Sequence, residues 1–214
     1  SALVRAKTKL GEGSPEYFSV LFNYAEYLRE YKIDNKKSLE YYKMCMDYLG
    51  ENARNLFLKD PVHLGYSLSL AEGGESRKAL EIIQSLLFPE DKINQKYQRE
   101  YNSYENPGLE TIKADRKSLK ILQTKYKILW KIYRETQDQK ILESASVTAK
   151  LIVALLEKVR INISEEESRL VLGDRYRDSY LNAIRDFNLL YNKTGNHNFL
   201  EEAFELSEKS KVAG

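Results

Sequence analysis

Cysteine-protease chemistry needs a thiolate beside an imidazole base, and this chain carries one cysteine, Cys45, and two histidines, His63 and His197. Their settings argue for packing instead. Cys45 falls on the apolar stripe of a helix, where a free cysteine packs as a small hydrophobe. His63 lies on an expected helix and reads as a packed histidine, and His197 lies in a polar turn. A single cysteine forms no internal disulfide and the soft ligands are too few for zinc, so neither metal nor cofactor is expected. The "GEGS" run, Gly11 to Ser14, follows no strand and reads as a flexible lead-in rather than a phosphate loop. Glu165, Glu166 and Glu167 have the types for acid and base work. They follow Ser164, however, where a capping box and the helix dipole favour acids in a first turn. The chain itself is therefore not expected to be an enzyme.

The strongest chemical signal is cationic. Between Lys113 and Arg134 there are eight basic residues and one acid. At about 100° per residue, Lys113, Arg116, Lys120, Lys127, Lys131 and Arg134 fall within about 60° of each other. Leu119, Leu122, Tyr126, Leu129, Trp130 and Tyr133 take the opposite side and must be buried. A solvated helix face accounts for such a ridge. It also fits a surface that meets an acidic peptide segment, a partner domain or, as a weaker alternative, phosphates, with attraction falling as salt rises. Nucleic acid is disfavoured, because the ridge occupies one helix rather than recurring once per repeat.

The elements that position these residues are helices. The 214 residues suffice for one large domain or a small array, and the net charge of +2 argues for neither a wholesale nucleic-acid binder nor a disordered polyanion. Apolar residues recur at three and four, as in Tyr17, Leu21, Tyr24, Leu28 and Tyr31, or Leu39, Tyr42, Met46 and Leu49. Expected starts are Ser14 before Pro15, Asp60 before Pro61, Ser164 and Asp174; expected turns are Gly50, Gly73 with Gly74, and Gly195. About seven main helices follow. One constant offset, without a gap, aligns Tyr133 with Tyr191, Thr136 with Thr194, Leu142 with Leu200 and Ala145 with Ala203. One helical hairpin is thus used twice.

Shorter hairpins lie upstream. "HLGYSLSLAEGGESRKALEII" places His63, Tyr66, Ser67 and Leu70 before Gly74, then Ala79 and Ile83; "LFNYAEYLREYKIDNKKSLEYYKMC" places Leu21, Tyr24, Ala25 and Leu28 before Ser38, Tyr42 and Cys45. Both resemble the tetratricopeptide (TPR) repeat. Trp130 and Asn188 stand where that pattern prefers a small residue. The resemblance implies an all-α, TPR-like α-solenoid of about four helical hairpins wound into a right-handed superhelix. Residues 1–88 would hold the N-terminal hairpins, 89–114 a connector and 115–214 the extended C-terminal hairpins. Within the connector, Asn106, Pro107 and Gly108 are expected to form a mobile loop.

The last fifty residues, with Ser164 to Glu167, Thr194, Gly195 and the run Leu200 to Lys211, resemble the TPR stretch preceding the catalytic domain of bacterial CHAT proteins, the caspase-like, separase-related peptidases. That resemblance implies a regulatory or substrate-recruiting scaffold in a larger CHAT-type protein, whose peptidase would lie beyond Gly214. The expected partner is a protein or peptide, its own C-terminal effector domain among the candidates. With neither a long apolar run nor a signal-peptide layout, membrane association is not expected and a cytoplasmic location is.

Overall fold

The computed structural model describes residues 2–51, 56–88, 104–161 and 166–212. Among these residues there are helices and no strand: α1 (Ala2–Leu10), α2 (Pro15–Glu30), α3 (Asn35–Glu51), α4 (Leu56–Glu72), α5 (Ser76–Leu87), α6 (Arg116–Thr136), α7 (Gln139–Ile161), α8 (Glu166–Thr194) and α9 (His197–Val212). The fold is all-α, as the apolar period requires, with nine helices among the described residues where about seven were expected. The chain divides into two compact units, Ser1–Leu86 and Leu87–Gly214.

Three local expectations are corrected. A helix, α1, precedes the Gly11 to Ser14 stretch, and its Leu3 and Ala6 pack on the core of the first unit. Pro61 does not open a helix behind Asp60; it lies inside α4. Near the N-terminal end of a helix a proline removes one ladder bond, here to the Phe57 carbonyl, and leaves the later turns intact. No helix starts at Asp174 either, because α8 runs unbroken from Glu166 to Thr194. Gly173 costs about 1 kcal/mol in a helix interior, too little to break a helix whose later turns are buried at Tyr180, Ala183, Phe187 and Leu190. The expected cap Ser164 lies outside the described residues.

In the first unit, Ser14 caps α2 by accepting from the Tyr17 N–H at 3.1 Å, with Pro15 at the first helical position. The helices then meet at small side chains. Ser38 of α3, fully buried, donates to the Ala25 carbonyl of α2 at 2.9 Å and lies 3.2 Å from the Ser69 hydroxyl of α4. At Gly65 of α4 the Tyr42 ring comes so near that an added Cβ would sit 2.4 Å from it. Close crossings of this kind are the physical content of the alanine, serine and glycine spacing.

In the second unit, the duplicated hairpin is reproduced bond for bond at its turns. Thr136 and Thr194 each donate to the carbonyl four residues back, at 2.9 and 2.8 Å. Gln137 and Gly195 both turn left-handed, with φ of 54° and 69°. Asp138 and Asn196 then cap α7 and α9 by accepting from the N–H of Lys140 and Asn198, at 2.8 and 3.1 Å. α8 packs between α7 and α9; the Tyr180 hydroxyl meets the Glu157 carboxylate of α7, and Lys150 of α7 reaches Glu202 of α9 at 2.5 Å.

Candidate functional site

Asp115 caps α6, accepting from the Ser118 N–H at 2.8 Å with extended backbone angles. Lys113 therefore precedes the helix, so its place on the wheel does not apply; its amine pairs with Asp115 at 3.4 Å. From Arg116 to Arg134, α6 contains seven cationic residues and no acid. Arg116, Lys120, Lys127 and Arg134 are exposed and make no ion pair or side-chain hydrogen bond with any described residue. Lys131, half-buried on the same stripe, pairs with Glu135 at 2.9 Å. At 1.5 Å per residue the four unpaired cations span about 27 Å.

The other side of α6 is buried as its apolar spacing demands. Leu119, Leu122, Leu129 and Tyr133 are 5% exposed or less, while Trp130 is only half-buried. Trp130 and Tyr126 both reach α8. The indole N–H and the phenol donate to one oxygen of Asp186, at 2.9 and 2.8 Å, and the Arg185 guanidinium donates to the other at 3.0 Å. Burial raises the pKa of this fully buried carboxyl, and the donors from Trp130, Tyr126 and Arg185 work against that rise. Arg185 also lies 4.6 Å over the Trp130 ring, and the Lys193 amine lies 5.6 Å from the Tyr133 ring centre. Two cations of α8 thus flank the aromatic seam beside the stripe. Sequence reasoning did not single out Arg185, Asp186 or Lys193. The available signal was Asp186, an acid next to Phe187 and three residues from Ala183 on an apolar-spaced face.

Lys125, also on α6, has a different fate. It is fully buried, and its amine donates to the Glu105 carbonyl. Burial drives its pKa from 10.5 down to about 7, partly countered by the Glu105 charge. Around it, Ser144 donates to the Tyr104 carbonyl at 2.8 Å, Asn106 donates to the Thr148 hydroxyl at 3.0 Å, and Lys158 donates to the Leu109 carbonyl at 3.2 Å. The stretch expected as a mobile loop is a strap tied to α6 and α7, because side chains supply the partners its carbonyls lack in the absence of secondary structure.

The remaining candidates stay apart from this surface. Cys45 is buried with its Sγ 3.8 Å from the Phe18 carbonyl, and burial pushes the thiol up to about 12, which leaves it protonated and unreactive. His63 Nδ1 lies 2.6 Å from the Lys59 carbonyl, and the exposed His197 ring rests 5.5 Å from Tyr191. Glu165 lies outside the described residues, as do the side chains of Glu166 and Glu167. Among the described residues no three metal-ligating side chains gather, and no helix is long and apolar enough to cross a membrane. Compared with known proteins, the chain matches no family model, no curated protein and no solved structure.

Proposed function

We propose that this chain is a protein- or peptide-binding helical-repeat scaffold whose α6 stripe docks an acidic segment. One observation carries the proposal: Arg116, Lys120, Lys127 and Arg134 are exposed with no counter-charge among the described residues. Like charges at i,i+4, here Arg116 with Lys120 and Lys127 with Lys131, destabilise a helix by about 0.2–0.5 kcal/mol a pair. Cations in the first turn of α6 also oppose its dipole. An acidic partner relieves both costs. The duplicated hairpin, with Ala145 and Ala203 both buried at equivalent places, supports a TPR-like solenoid. The resemblance of the C-terminal quarter to the TPR region of CHAT proteins supports reading the chain as a regulatory or substrate-recruiting arm of a larger, cytoplasmic CHAT-type protein. Changing Lys120, Lys127 and Lys131 together to Glu should abolish binding of a fluorescent acidic peptide while the helical circular dichroism stays intact. Unchanged affinity in that triple variant would remove the stripe from any binding role.

A further inference from the structure

The shape and chemistry of the stripe specify more than the sign of its partner. Resting on the reading of α6 as a docking surface, we infer that the partner is an extended acidic segment of about nine residues rather than an acidic helix. A docked helix needs an apolar seam beside its charges. Next to the cations of α6 the apolar side chains are used up inside: Leu119, Ile121 and Ile128 are 5% exposed or less. What faces outward beside them is polar, Lys117 exposed and Gln123 half-buried, and the half-buried Trp130 ring is covered by the Arg185 guanidinium 4.6 Å over it. The stripe therefore offers charge along its length and no groove for a second apolar face.

Length follows from the spacing. Arg116, Lys120, Lys127 and Arg134 stand at rises of 0, about 6, about 16 and about 27 Å along the helix. An extended chain advances about 3.3 Å per residue and returns a side chain to the same face every second residue. About nine residues reach from Arg116 to Arg134, whereas a helical partner would need about 19 to cover the same distance. Lys193, exposed on α8 beside Tyr133, adds a cation near the Arg134 end.

Labelled oligoglutamate peptides in three lengths, one about half the inferred span, one matching it and one about twice it, test the inference when titrated into the whole chain at low salt. A helix-stapled acidic peptide and a single-stranded oligonucleotide serve as further arms. Affinity should rise several-fold from the shortest peptide to the matching one, change less than about threefold beyond it, and fall at least about tenfold as salt rises toward ~0.5 M, where the Debye length shrinks to a few Å. Lys120→Gln with Lys127→Gln and Arg134→Gln should remove the length dependence. Tighter binding of the stapled helix, an affinity still climbing at the longest peptide, or preference for the oligonucleotide at equal charge would each overturn the inference. Failure of every acidic peptide, with no effect of the substitutions, would overturn the docking surface itself.

Discussion

At the scale of single residues, the chain shows how far burial alone can move a charge. Lys120 and Lys125 are both lysines of α6, about 140° apart around the helix. One is exposed; the other is fully enclosed with its amine on the Glu105 carbonyl. Unfolded, the Lys125 amine titrates near 10.5; folded, near 7. Between those values the unfolded chain holds a proton that the folded chain has released, so stability rises with pH across the window and is lost as pH falls toward 7. Each pH unit is worth about 1.4 kcal/mol for one group. Urea unfolding at pH 7 and pH 9 should therefore show a gain of about 2 kcal/mol, and Lys125→Met should flatten it. A wild-type profile as flat as that of Lys125→Met would refute the placement of this amine.

At the scale of helices, small side chains decide how closely neighbours approach. Gly65 is an expensive choice for a helix interior, about 1 kcal/mol worse than alanine, yet Tyr42 occupies the space a Cβ would need. Ala145 is likewise fully buried. Gly65→Ala, favoured by propensity, should lower stability by about 1–3 kcal/mol through overlap with the tyrosine ring, and Ala145→Trp should do the same or worse. Thermal unfolding measures both; stabilisation by Gly65→Ala would mean that α3 and α4 lie further apart. The strap from Tyr104 to Leu109 belongs to this scale too. It is held by Lys125, Ser144, Thr148 and Lys158 rather than by a ladder of its own.

At the scale of the molecule, position in the array changes what a repeated residue does. In the second unit, Leu142 and Leu200 hold the same place in the two copies of the hairpin. Leu142 is fully buried on α7, which packs against both α6 and α8, while Leu200 is 38% exposed, and Ser146 and Phe204, at the next equivalent turn, are 0% and 66% exposed. Leu142→Ala should cost about 2–5 kcal/mol, whereas Leu200→Ala should stay within about 1 kcal/mol. Equal costs in chemical denaturation would show that the two hairpins are packed alike. Much of this was legible beforehand. Thr136 and Thr194, the Gln137 and Gly195 turns and the buried Ala145 and Ala203 follow from the offset that aligns the chain with itself. The unequal burial was not, because identical hairpins carry no mark of which one has a neighbour.

From its sequence alone the chain determined its helical class, the cap at Ser14, the turns at Gly74 and Gly195, the duplicated hairpin and the cationic side of α6. All of these depend on residues within a few turns of each other, where periodicity and backbone preference act directly. The tertiary structure decided which cations remain unpaired, that Lys125 is enclosed, that Asp186 gathers Tyr126, Trp130 and Arg185, that Pro61 sits inside α4, and that residues near Asn106 are tied down. Periodicity says which side of a helix is apolar, but the partner that covers a group arrives from far along the chain, as Glu105 does for Lys125 and Asp186 for Tyr126. Burial and pairing are properties of that meeting, so they appear only once the helices have packed.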